Sequence, residues 1–214
     1  MTNPQPTFHP RPNYAGKPVE IKHPDTPTPL ESWGNAAVAS IAIPDQPMPA
    51  MLNGISLGHW RGAPGSDAGW NALAAQSPVS EPAFVVPSGL KAATGAVVVE
   101  PDGRVWLVAP TNRFGGYRYT FPKGTMTGTL GTAANALNEV FEESGLQIEL
   151  LSHFIDTPRT RSFTRYYLAR RLGGNPAKMG WESQAVLLVP AALLKDYVTS
   201  ASDQPILAAL KKVL

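Results

Sequence analysis

The sequence predicts an α/β protein in which a mixed sheet carries helices on both faces, and two observations lead there. Beyond about residue 90, short apolar runs separated by turn residues come in the order strands, helix, strands, helices, which suits a sheet with helices packed on it. Before that point the chain holds most of its prolines, including clusters at Pro4 to Pro12 and Pro24 to Pro29, and cannot be regular helix or central strand throughout. The chain therefore divides into a proline-rich N-terminal arm or small extension, residues 1–90, and an α/β domain, residues 91–214.

The elements of the second part follow in order. Ala92 to Glu100 and Arg104 to Ala109 are rich in β-formers and flank Pro101-Asp102-Gly103, a strong hairpin signal. Tyr117 to Phe121 reads as a strand ending in Pro122-Lys123-Gly124. A Gly- and Thr-rich loop then leads into a helix over about Thr132 to Ser144, and Gly145 stands where helices commonly stop in a left-handed conformation. Strands are expected at Gln147 to Ile155, Ser162 to Leu172 and Glu182 to Val189, and helices around Ala191 to Val198 and Gln204 to Leu214.

The first part reads mainly as an extended arm. Trp33, Trp60 and Trp70, with the apolar stretches Ala36 to Ile43 and Met51 to Leu57, are unusual in a disordered tail. They call for a cover, either the α/β domain or a second subunit, so a homodimer through the arm is one expectation.

Composition narrows the function. A net charge of +2 with 16% charged residues gives no general case for a nucleic-acid polymer as partner. The chain has no cysteine, which removes disulfides and thiolate zinc sites and fits a cytoplasmic protein. No stretch reaches the length of apolar residues a membrane span needs, so no membrane partner is expected.

The helix carries the chemistry. Glu139, Glu142 and Glu143 lie within one turn, and residues three and four apart share a face, so the three carboxylates repel one another. Projected at about 100° per residue, Ala133, Ala134, Leu137, Val140 and Phe141 fall on one arc and the three glutamates on the opposite one. One arc is core, and the other is either a solvated surface or a site for a divalent cation, since hard Mg²⁺ and Mn²⁺ prefer carboxylate oxygens.

Gly124 to Leu146 resembles the Nudix box: Gly, five residues, Glu, seven residues, Arg-Glu, an aliphatic residue, any residue, Glu-Glu, any residue, Gly and an aliphatic residue. Gly124, Glu139, Val140, Glu142, Glu143, Gly145 and Leu146 fall in register, while Leu130 stands at the first Glu and Asn138 at the Arg. The resemblance implies the Nudix α/β/α sandwich over residues 91–214. It implies a metal-dependent hydrolase that splits a diphosphate linkage in a small phosphorylated substrate. Glu139, Glu142 and Glu143 would bind Mg²⁺ or Mn²⁺ or orient the water, and Lys123 would lend its backbone carbonyl to the metal. A further acid from a later loop often serves as base or ligand in that family, and Glu182 in Gly180-Trp181-Glu182-Ser183 is the candidate here.

For the substrate, Arg118 and Lys123 beside the box, with Arg159, Arg161 and Arg165 after it, are the phosphate-binding candidates. Strand alternation places Arg165 and Arg171 on one side and Arg170 on the other. Phe114, Tyr117, Trp60 and Trp70 are candidates for stacking on a nucleobase, against the plain alternative of packing. Arg118 and Phe121-Pro122-Lys123-Gly124 look like the approach to the box in Nudix enzymes of diadenosine polyphosphates and diphosphoinositol polyphosphates. A nucleoside diphosphate derivative or a polyphosphorylated metabolite is thus expected. The rival reading is a catalytically impaired Nudix-fold module that binds a nucleotide or a protein, because Asn can donate a hydrogen bond but cannot neutralise the carboxylates as Arg would.

Overall fold

The structure, a computed structural model, describes residues 6–214; Pro4, in the first proline cluster, lies outside them. Among the described residues one mixed sheet dominates. Its strands are β1 (Ser40–Ala42), β4 (Lys91–Val99), β5 (Arg104–Pro110), β6 (Lys123–Thr125), β7 (Leu146–Pro158), β8 (Ser162–Gly174) and β9 (Ser183–Pro190). A two-residue pair, β2 (Met51–Leu52) and β3 (Ile55–Ser56), stands apart from it. The main order is β1-β9-β5-β4-β8-β7, with β6 pairing on β4. The β4–β8 pair is parallel and the other pairs of the sheet are antiparallel.

Both faces are apolar, so the central strands alternate between two cores. Ala96, Val98, Trp106, Val108, Val186 and Leu188 face α1 (Asp67–Gln76) and α2 (Thr132–Ser144). Their chain neighbours Val97, Val105, Leu107, Ala185, Leu187 and Val189 face α3 (Leu194–Tyr197) and α4 (Gln204–Leu210). A sheet buried on both sides reads as continuous apolar sequence, which is why these runs stood out.

The first 90 residues are built into this core. β1 pairs antiparallel with β9 and extends the sheet by one strand. Trp33 is 2% exposed and packs on Trp106 with ring centroids 6.2 Å apart. Trp70, also buried, meets Trp60 and Phe141 of α2 at 5.7 and 5.9 Å. Trp33 and Trp70 are thus covered by the same chain, and no second subunit is needed to shield them.

Three expectations are corrected. Tyr117 to Phe121 is not a strand: only a bridge between Val108 and Thr120 forms there, because the chain is moving from β5 to β4 and Pro122 lacks a donor. β6 takes up pairing at Lys123 instead. The arm is more than extended chain, since Ser66 caps α1 by accepting from the Gly69 amide at 3.2 Å. The C-terminal helices are shorter than expected, α3 being one turn preceded by a 3-10 turn at Ala191–Leu193.

Candidate active site

The candidate site forms where β6, α2 and the loop before β9 meet. α2 spans Thr132–Ser144, as the pattern predicts, and stops at Gly145 in a left-handed conformation, φ 69°. Its apolar arc packs through Ala134, Leu137 and Val140, which points the glutamates at β6. Contact there is close enough that a Cβ on Gly124 would overlap the Glu139 carboxylate, so a larger residue at this position would displace that side chain. The Lys123 amide donates to Glu143 Oε2 at 2.7 Å.

The loop bearing Glu182 is tied to the other end of α2. The Gly180 amide donates to the Glu142 carbonyl at 2.6 Å, and the Thr111 amide donates to the Glu182 carbonyl at 2.8 Å. The Thr111 hydroxyl donates to the Trp181 carbonyl at 2.6 Å. These bonds place an exposed Glu182 beside exposed Glu142, half-buried Glu139 and buried Glu143.

Electrostatics at this cluster is dominated by desolvation and like charge. Burial, then Glu143, Glu142 and Glu182, push the Glu139 carboxyl up to about 9. Glu143 is raised to about 7 by burial, against the pull of Lys123. Glu142 is raised as well, burial again leading, with a hydrogen bond from Asn138 working the other way. Among the described residues none of the four glutamates has an ion pair within 4.0 Å.

Among the described residues no three acidic or imidazole side chains are gathered closely enough to hold an ion as they stand. The donor set nevertheless fits a hard divalent cation in kind: oxygen ligands only, mutually repelling, and offset by the pull of Lys123 without an ion pair among the described residues. Two of the four, Glu142 and Glu182, are exposed.

The basic candidates separate. Lys123 lies with its ammonium 5.6 Å from the Tyr117 ring centroid, and Arg159 covers the same ring at 5.2 Å. Arg159 is buried, pairs through Nη2 with Asp203 and the Tyr166 hydroxyl, and keeps Nε and Nη1 without a partner. Arg118 and Arg161 are exposed. Arg165, 1% exposed, forks onto Asp156 at 2.9 and 2.7 Å and reaches Glu81 at 3.1 Å. Arg171 is buried on Glu100, while Arg170 is exposed on Glu149, as alternation predicts.

The aromatic candidates divide too: Phe114 is exposed, Tyr117 is buried between two cations, and Trp60 and Trp70 pack on Phe141. Leu130 is buried in the core under α1. Asn138 lines a cleft of about 220 Å³ with Pro64, Ser66, Asp67, Trp70 and Glu142.

Sequence reasoning missed Tyr14. A turn held by Asn13 Oδ1, which accepts from the Ala15 and Lys17 amides at 3.0 and 2.9 Å, brings this exposed residue to Trp181, edge to face at 5.1 Å. Its pKa is pushed up to about 12 by desolvation and then by the charges of Glu182 and Glu142. No local signal marks it, since the contact joins opposite ends of the chain.

The description "NUDIX domain" matches residues 89–210. No curated protein matches the chain. Among solved structures, a NUDIX hydrolase from Nitrosomonas europaea is 19% identical with a TM-score of 0.49, over 59% of this chain and 73% of that one. A C. elegans Ap4A hydrolase binary complex is 17% identical with a TM-score of 0.47, over 56% and 94%. An ADP-ribose pyrophosphatase from Streptococcus suis is 22% identical with a TM-score of 0.45, over 57% and 91%.

Proposed function

The chain belongs to the Nudix family, and from that premise we propose that it hydrolyses a diphosphate linkage, in a nucleoside diphosphate derivative or a polyphosphorylated metabolite, with Mg²⁺ or Mn²⁺. The observation that carries the proposal is the set of four glutamates brought together from α2 and the loop before β9, with no ion pair of their own among the described residues. Bound metal would neutralise phosphate oxygens and acidify a water.

The chain's own groups divide the remaining work. Glu139, Glu142 and Glu143 would hold the cation, and the Lys123 carbonyl would be a further oxygen ligand. The Lys123 amide donates to Glu143 Oε2 and restrains that carboxylate beside β6. Glu182, exposed and on a loop pinned at both ends, takes the proton of the attacking water. Lys123 is the donor for phosphate oxygens, and Arg159, buried on Asp203 and the Tyr166 hydroxyl, adds its positive charge from behind the Tyr117 ring. Arg118 and Arg161 serve at the exposed rim, whereas Arg165 keeps its guanidinium on Asp156 and Glu81. Tyr14 and Trp181 form a wall for the part of the substrate beyond the phosphates.

The test is a panel of nucleoside diphosphate derivatives and polyphosphorylated metabolites assayed with each metal. Glu142→Gln and Glu143→Gln preserve shape while removing charge, and are expected to lower turnover on the order of 100-fold or more without loss of fold. Variants that match the wild type would place the chemistry elsewhere. Asn138 favours a second reading, since it leaves the carboxylates without the family's arginine. A chain that binds one panel member tightly and turns over none would establish that binding-module reading.

A further inference from the structure

The box helix starts without a cap of its own. Its N-cap is Gly131, no side chain caps it, and its first turn has no acid, so the first amides of α2 lack local partners. The loop that leads into the helix is held instead from the N-terminal segment. Asp67 and Asn71, four apart on one face of α1, grip the loop that joins β6 to α2. Asp67 Oδ2 accepts from the Thr129 amide at 2.8 Å and from its hydroxyl at 3.1 Å. Asn71 Oδ1 accepts from the Gly131 amide at 3.0 Å, and its Nδ2 donates to the Thr129 carbonyl at 3.0 Å. Beyond α1, Glu81 Oε1 accepts from the Thr132 hydroxyl at 2.6 Å.

The loop is shaped to be held this way. Gly128 has φ +60°, and a Cβ there would overlap the Asp67 carboxylate. Leu130 turns the other way and is 8% exposed in the core shared with Trp70 and Leu137. The position where the box pattern has its first glutamate is therefore an apolar anchor, and the acid at this loop belongs to α1.

We propose that Asp67 and Asn71 are positioning residues of the candidate site, an external clamp from the N-terminal segment that sets the rotation and depth of α2 and so the aim of Glu139, Glu142 and Glu143. The inference rests on the metal-site reading above. A loop slip is carried rigidly along the helix, and ligand geometry is sensitive to small displacements. Each acts through the Thr129–Gly131 backbone that it holds.

The experiment uses the full chain and Mn²⁺ alone as the probe, followed by electron paramagnetic resonance, with turnover on the panel as a second readout. Asp67→Ala, Asn71→Ala and the double variant are expected to weaken Mn²⁺ binding roughly 10- to 100-fold and to lower kcat by a similar factor. KM is expected to stay near its wild-type value. Asp67→Asn, which keeps an oxygen acceptor for the Thr129 amide, is expected to restore most of the affinity. The two single variants each leave half of the clamp in place, so they report even where the double variant does not fold. Folded single variants with wild-type Mn²⁺ affinity and kcat would overturn the clamp while leaving the metal-site reading intact. A wild-type chain that takes up no Mn²⁺ would overturn both.

Discussion

Glu139 sets the pH behaviour of the metal-free protein. Its carboxyl moves from 4.5 to about 9 on folding, and Glu143 and Glu142 move in the same direction. For a raised carboxyl the contribution to stability is fully present below about 4.5 and is lost as pH climbs towards the folded value, because the unfolded chain releases its protons first. The melting temperature of the metal-free chain is therefore expected to fall between about pH 5 and about pH 9. Mg²⁺ takes the place of those protons, so it is expected to raise Tm more near pH 8.5 than near pH 6; calorimetry at both, with and without the metal, checks this. Leu130 and Asn138 separate at the same scale. Leu130→Glu puts a carboxylate into the core and is expected to cost roughly 2–5 kcal/mol, read in urea unfolding. Asn138→Arg points into the cleft beside Asp67 and Glu142 and is expected to keep the fold and raise kcat. The three box glutamates were legible because their spacing is a property of one helix. Asp67 was not, since its partner Thr129 is 62 residues away and nothing in either local sequence announces the pairing.

Elements were readable where burial leaves a periodic trace. β4, β5, β7, β8 and β9 emerged because each holds a run of apolar or alternating residues long enough to count, and α2 because its core and carboxylate arcs differ. β1 has three residues and owes its place to pairing with β9, which no local pattern encodes. α1 was hidden by the prolines around it, although Ser66 and Asp67 are a helix-start signal. The N-terminal turn was equally silent, yet it is the element that carries Tyr14 to Trp181. Truncating Tyr14 removes an exposed ring without opening a cavity, so Tyr14→Ala is expected to leave Tm nearly unchanged. KM for the best panel substrate is expected to rise about 2- to 10-fold, the worth of one aromatic contact, with kcat little altered. Steady-state kinetics at saturating metal makes the measurement, and an unchanged KM would take Tyr14 out of the substrate wall.

For the whole molecule, the boundary near residue 90 is a change in sequence texture rather than an edge of the core. The match to the family begins at residue 89, yet Trp33 and Trp70 are fully enclosed by side chains on both sides of that point. β1 covers β9, which would otherwise be a long apolar edge open to pairing with another chain. Burying a tryptophan of this kind stabilises a fold by about 3–5 kcal/mol as read by truncation to alanine, a large part of the ~5–15 kcal/mol that holds a domain together. Trp33→Ala alone is thus expected to lower Tm by roughly 10 °C. Deleting residues 1–88 removes both tryptophans, β1 and the α1 clamp together, and the remaining domain is expected to aggregate or to melt far below the full chain, with Mn²⁺ binding lost in whatever fraction stays soluble. Thermal unfolding and light scattering on the two proteins decide it. A truncated domain that stays monomeric, melts with the full chain and binds Mn²⁺ as tightly would show that the family core is self-sufficient and that the N-terminal segment only decorates it.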